Sequence, residues 1–159
     1  LSTIDLKQPV DVDAGISQTD IAVTDASGQL QVLDAKTGQL KTKLQLSAPA
    51  SNDLWITDNL LFVESRQTLT CYELKDSLQQ LWQLKLPGHS LAGSPSKDGS
   101  RLFLSLQNGS VLAVDPQTGQ VQSETTAPLP SSGSVVTLEK LLLVPSVDGS
   151  LYRIDQGLQ

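Results

Sequence analysis

The chain has 159 residues, 38% of them hydrophobic and 18% charged, a balance that belongs to one folded domain rather than to a disordered segment. Seventeen acidic against eleven basic residues give a formal net charge of -6, which argues against a phosphate-backbone partner, since nucleic-acid binding draws on clustered Lys and Arg. A single cysteine, Cys71, excludes an internal disulfide, and no apolar run is long enough to cross a bilayer as a helix.

The N-terminal stretch Ser2-Thr3-Ile4-Asp5-Leu6 precedes Gln8-Pro9-Val10 as Thr42-Lys43-Leu44-Gln45-Leu46 precedes Ser47-Ala48-Pro49, so its phase is that of an outer strand (residues 1–7). With no methionine in the sequence, Leu1 is not expected to be the natural start. Asp11-Val12-Asp13-Ala14-Gly15 resembles the opening of a calcium loop, but the later ligands and the bidentate glutamate are missing, and it is read as a strand end plus turn.

The first repeat (8–46) then places strands at Ile21 to Thr24, Gln29 to Leu33 and Gln39 to Leu46. Lys41 and Lys43 point to the wet side of the last one. The second repeat (47–86) gives Leu54 to Thr57, the turn Asp58-Asn59, Leu60 to Glu64, Thr68 to Leu74 and Leu81 to Leu86, with Lys75-Asp76-Ser77-Leu78-Gln79-Gln80 as a divergent turn. The third (87–127) opens on the small residues Ser90 to Pro95 and turns at Lys97-Asp98-Gly99-Ser100, where Asp-Gly supplies the positive φ of a tight hairpin. It continues with Leu102 to Leu106, Ser110 to Asp115 and the more polar Gln120 to Thr126. The incomplete fourth repeat (128–159) has Ser134 to Thr137, Leu141 to Val144 and Ser150 to Asp155, with turns at Leu138-Glu139-Lys140 and Val147-Asp148-Gly149. Apolar spacing is two rather than 3.6 throughout, so no helix is expected.

One phrase organises all of this. Gly28 to Leu40 (GQLQVLDAKTGQL) returns at Gly109 to Val121 (GSVLAVDPQTGQV), with poorer copies at Gln67 to Glu73 and Gly149 to Asp155. The acidic residues recur at 34, 73, 115 and 155, steps of about forty residues, the period of a propeller blade. The expectation is an all-β propeller of four-stranded antiparallel blades, about four in number. Two closures fit: the N-terminal strand seals a small four-bladed ring, or the chain is half of a ring of seven or eight blades, completed by further sequence or by a second copy in a homodimer.

The phrase resembles the repeat of the pyrroloquinoline-quinone (PQQ) type β-propellers, a family that includes quinoprotein alcohol dehydrogenases, the propeller lipoprotein of the outer-membrane barrel assembly machinery, and extracellular sensor domains of bacterial kinases. The resemblance implies a bacterial, extracytoplasmic protein, periplasmic or at the cell surface. In that family a tryptophan a few residues after the Thr-Gly turn docks one blade on the next. Here Lys41 to Lys43 and Gln122 to Glu124 occupy those places, and only Trp82 of the second repeat stands roughly where the tryptophan belongs.

Asp34 and Asp115 end a strand at a Thr-Gly turn, where a carboxylate accepts backbone N–H bonds, so a structural role is expected. Quinoprotein chemistry needs calcium held by carboxylate and amide oxygens and, in the alcohol oxidases, adjacent cysteines; Cys71 has no such neighbour. Ser96-Lys97-Asp98-Gly99 and Ser146-Val147-Asp148-Gly149 approach the sialidase aspartate box, but with Asp and Gly adjacent they are plain hairpin turns. His89 lies in a connection without a nucleophile-elbow phrase to serve it. No cofactor, metal or catalytic residue is therefore expected. The expected function is a scaffold or binding module for a protein or small ligand, without direct membrane insertion. A ligand-binding sensor trimmed from a membrane-anchored protein and a dehydrogenase fragment are the alternatives. Candidate partner contacts are Trp55, Trp82 and His89, the second repeat holding both tryptophans.

Overall fold

The computed structural model of the chain describes residues 9–10, 12–75, 77–138 and 141–155. Among these residues there are fifteen strands and no helix. The strands fall into four antiparallel sheets in which sequence neighbours are also spatial neighbours. The first sheet holds β1 (Gly15–Ile16), β2 (Asp20–Thr24), β3 (Gln29–Asp34) and β4 (Leu40–Gln45); the second holds β5 (Trp55–Thr57), β6 (Leu60–Ser65), β7 (Thr68–Leu74) and β8 (Leu78–Lys85). The third has β9 (Ser96–Asp98), β10 (Arg101–Ser105), β11 (Ser110–Val114) and β12 (Val121–Thr126), and the fourth β13 (Val136–Leu138), β14 (Leu141–Pro145) and β15 (Leu151–Asp155). The expected outer strand Ser2 to Leu6 lies outside the described residues, as do Glu139 and Lys140 of the expected turn in the fourth repeat.

Alternation decides which face each strand buries. In β3, Leu30 and Val32 are buried while Gln29 and Gln31 are half-buried, the period of two that a pleated strand imposes. Three strands start or end away from their expected places. Ser90 to Pro95 is not a strand: Leu91 makes one isolated bridge to Leu106, and pairing with β10 begins only at Ser96. Pro95 has no N–H to give a ladder there, and Gly93 brings the chain so close to Ser134 that a Cβ would overlap it. In the fourth repeat the ladder likewise begins at Val136 rather than Ser134. In the second repeat the expected turn of residues 75–80 is shorter, because Leu74 pairs with Leu78 and β8 starts there.

An outer-strand irregularity that periodicity alone does not show recurs in three repeats. The register shifts between Val32 and Leu33, between Cys71 and Tyr72, and between Ala113 and Val114, each time opposite the same position of the preceding strand. A bulge at this point bends the outer strand and increases its twist.

The chain divides into two compact units, one running to Lys85 and one starting at Leu86. In the first, Ala22, Leu30 and Val32 of the first sheet pack with Ile56, Leu61, Val63 and Tyr72 of the second. In the other, Phe103, Val111 and Ala113 of the third sheet pack with Leu142 and Val144 of the fourth, joined by Tyr152 and Ile154. Each such aliphatic or aromatic side chain contributes about 1.5 to 3 kcal/mol when fully buried, so sheet-on-sheet contact rather than any single sheet carries the stability.

Candidate functional site

Two of the recurrent acids, Asp34 and Asp115, are occupied by the backbone. Asp34 Oδ1 accepts the amides of Lys36 and Thr37 at 3.0 and 2.8 Å, and Asp115 Oδ1 accepts those of Gln117 and Thr118 at 2.8 and 3.0 Å. In both turns the amide of the following glycine returns to the aspartate carbonyl, Gly38 at 2.8 Å and Gly119 at 2.9 Å. The Thr37 amide, followed by its hydroxyl, holds the Asp34 carboxyl below its ordinary range. The amides of Gln117 and Thr118 do the same for Asp115.

The hairpins between the second and third strands repeat the device. Asp25 accepts the Ser27 hydroxyl at 2.6 Å and the amides of Ser27 and Gln29; Asn108 accepts the Ser110 amide, and Asp148 the Ser150 amide. Each of these carboxylates is a weak base and spends one oxygen on its own turn, so the repeat builds turns. Among the described residues no group of three or more His, Cys, Asp or Glu is arranged to hold a metal ion.

The second sheet assembles three of its aromatics in one cross-strand row. Trp55, Phe62, Cys71 and Trp82 are direct partners on β5, β6, β7 and β8, hence on one face. The Trp55 and Phe62 rings lie 4.9 Å apart, and those of Phe62 and Trp82 5.8 Å apart. Trp82 is 7% exposed, whereas Trp55 is half-buried. Cys71 is fully buried within this row, and burial, with the nearby charge of Glu73, pushes its thiol up to about 12. It stays protonated and is no nucleophile. The third candidate, His89, is exposed in the segment between Pro87 and Ser90.

Two polar clefts were not anticipated from the sequence. The larger, about 490 Å³, is lined by Val10, Val12, Asp13, Ser51, Asn52 and Asp53. Here the Asp13 amide donates to Asp53 Oδ1 at 3.2 Å, and the Leu54 amide to the Asp13 carbonyl at 3.1 Å. Beneath it Asn52 Nδ2 donates to Oε2 of the buried Glu64 at 2.6 Å, and the Ser51 amide to the Glu64 carbonyl at 2.9 Å. The available signal was that Asp13 and Asp53 stand 40 residues apart, at one position of the repeat. Asp13, expected at a strand end, lies just before β1; Asp11 is outside the described residues.

The second cleft, about 380 Å³, is lined by Asp20, Lys41, Leu74 and Lys75. Its charges are paired. Lys41 Nζ lies 2.8 Å from Asp20 and 3.6 Å from Asp34, and Lys75 Nζ lies 2.9 Å from Glu73. The sequence put Lys41 on the wet side of an edge strand, which it occupies, but as a bridge between two aspartates.

A family model named PQQ_2 and described as outer membrane protein assembly factor BamB matches residues 1–157. No curated protein sequence matches the chain. Among solved structures, BamB from Moraxella catarrhalis superposes with a TM-score of 0.81 at 20% identity, covering 95% of this chain and 48% of that one. The computationally designed Ika4 protein superposes at 0.76 with 15% identity, over 95% of this chain and 93% of its own. The designed Ika8 protein does so at 0.76 with 16% identity, over 93% of this chain and 46% of its own. The chain thus spans about half the length of the Moraxella BamB, and at these identities the structural likeness establishes the fold.

Proposed function

The chain belongs to the PQQ_2 family, described as outer membrane protein assembly factor BamB, and from that membership we propose that it is a non-catalytic β-propeller scaffold that binds a protein partner outside the cytoplasm. The observation that carries this reading is the use of the carboxylates. In a quinoprotein enzyme they are needed as ligands and bases, whereas here Asp25, Asp34, Asp115 and Asp148 each accept turn N–H groups. The loops and strand ends are left as the surface to present.

The proposed contact region is the cleft of Asp13, Ser51, Asn52 and Asp53, whose two exposed carboxylates suit a partner rich in hydrogen-bond donors. Of the three candidates His89 is exposed and Trp55 half-buried, and Trp82 backs Trp55 through Phe62. The family description points to a partner in the assembly of outer membrane proteins.

Photo-crosslinking residues placed at Asp53 and His89 test this in a bacterial envelope expressing the chain. A discrete adduct with one envelope protein is expected, and loss of the Asp53 adduct on Asp13→Lys. Titration with PQQ and calcium is expected to give no heat; micromolar binding overturns the scaffold reading.

A further inference from the structure

Asn108 is the one asparagine of the chain that precedes a glycine; Asn52 precedes Asp53 and Asn59 precedes Leu60. With no side chain on the following residue to obstruct it, the backbone nitrogen of an Asn-Gly pair can reach the asparagine carboxamide. We propose that Asn108-Gly109 is a self-modifying site: the folded hairpin suppresses its deamidation, and once the hairpin has opened the fold takes back the aspartate product and rejects the isoaspartate one.

The chemistry needs only water. The Gly109 nitrogen gives its proton to solvent and bonds to Asn108 Cγ, the Cγ–Nδ2 bond breaks, and ammonia leaves behind a succinimide ring. Water then opens the ring in one of two ways. Breaking the new Cγ–N bond leaves an aspartate in an ordinary chain. Breaking the original C–N bond leaves isoaspartate, in which the chain runs through Cβ and Cγ and is longer by one backbone atom.

Both reacting groups are engaged in the folded hairpin. The Gly109 amide donates to the Leu106 carbonyl at 2.9 Å, so the proton it must release is already held. Asn108 Oδ1 accepts the Ser110 amide at 3.0 Å, which ties the carboxamide to Ser110. The Leu106 amide closes the turn on the Ser110 carbonyl at 2.8 Å, and the Ala127 amide holds the Gly109 carbonyl at 2.9 Å. Cyclisation therefore waits on local opening of the hairpin.

The aspartate product already has its counterpart in the fold. One repeat further on, the Gly149 amide reaches the Ser146 carbonyl at 3.1 Å and the Ser150 amide reaches Asp148 Oδ1 at 2.9 Å, the same two bonds around an aspartate. At residue 108 the exchange replaces a neutral acceptor by a charged one, which strengthens the bond to Ser110. The isoaspartate has no room. Gly109 is buried at φ +92, and one added Cβ would lie 2.6 Å from the Leu129 carbonyl oxygen and 3.1 Å from that of Ala127. A chain longer by one atom at this point cannot keep the contacts of Gly109 on both sides.

Ageing the purified chain in mildly alkaline buffer, with and without urea, tests the proposal, read by tandem mass spectrometry that separates the Asn, Asp and isoaspartyl peptides around residue 108. Conversion in urea is expected to exceed that in native buffer by at least about tenfold, the protection that a modest opening free energy gives. After urea is removed, native material recovered by gel filtration is expected to be depleted of isoaspartate and to retain aspartate. Asn108→Asp is expected to melt no lower than the parent chain, and Asn108→Gln to stay unmodified at this position in urea. Equal conversion in the two buffers, or none in urea, overturns the proposal. Isoaspartate carried into the native fraction in undiminished proportion, or a lowered melting temperature for Asn108→Asp, overturns it as well. Each of these outcomes leaves the scaffold reading untouched.

Discussion

Asp34 and Thr37 are joined twice, the Thr37 amide reaching Asp34 Oδ1 at 2.8 Å and the Thr37 hydroxyl reaching the same oxygen at 2.9 Å. The contact closes the turn that the chain repeats at Asp115 and Thr118. It requires the ionised carboxylate, and a pH dependence follows. Asp25, Asp34, Asp115 and Asp148 are all held below their ordinary value of 3.8. For a depressed carboxylate the stabilisation is present above the unfolded value and disappears as the pH falls through the folded one. The Tm is expected to be flat from neutrality to about pH 5 and to fall below about pH 4. In Asp34→Asn with Asp115→Asn that acid slope becomes shallower, which thermal melts across pH would register.

Three glycines, each in the hairpin between the second and third strands of a sheet, form a graded series. At Gly109, with φ +92, an added Cβ would lie 2.6 Å from the Leu129 carbonyl oxygen; at Gly28, with φ +79, it would meet Ala48 at 3.3 Å; at Gly149, with φ +86, it would meet nothing. Gly149→Ala is expected to cost about 1 to 2 kcal/mol from the left-handed backbone alone. Gly28→Ala should cost somewhat more and Gly109→Ala the most, an order that urea unfolding can check.

Arg66 and Gln67 sit at φ 49 and 58 in the two-residue turn that joins β6 to β7. Positive φ at both central positions is the geometry of a type I′ turn, which favours Asn-Gly. Replacing the pair by Asn-Gly is expected to stabilise the fold by about 1 kcal/mol, after the entropy that glycine adds to the unfolded chain. A raised urea midpoint at constant slope is the signature.

Trp82→Ala removes the outer end of the row that runs through Cys71 and Phe62 to Trp55. The expected loss is about 3 kcal/mol, and Trp82→Phe should recover much of it. A double-mutant cycle with Phe62→Leu measures the coupling, expected to be nonzero because the two rings are 5.8 Å apart. An unchanged Tm for Trp82→Ala would reassign the residue to partner contact.

Cys71, fully buried and with its thiol raised to about 12, is expected to be silent to Ellman's reagent in the folded chain at about pH 8. It should react fully in denaturant. Partial reaction under native conditions would report opening of the second sheet.

The repeat phrase, read as residues alone, determined most of the fold. Glycine at 28, 109 and 149 and the acids at 34 and 115 specify turns by local backbone chemistry, and alternation between turns specifies strands, so these elements stood in the chain before any contact was known. The inner strands were less legible, because Ser96 to Asp98 and Val136 to Leu138 owe their start to where a neighbouring strand offers partners. The tertiary structure alone decided the row from Trp55 to Trp82, since register across four strands sets which residues meet. It also decided the meeting of Asp13 with Asp53 and the bridging of Asp20 and Asp34 by Lys41. Above all it decided which sheet faces are covered. Val136 and Leu138 alternate like any buried strand yet are 54% and 56% exposed, because coverage is a fact about neighbours and not about sequence.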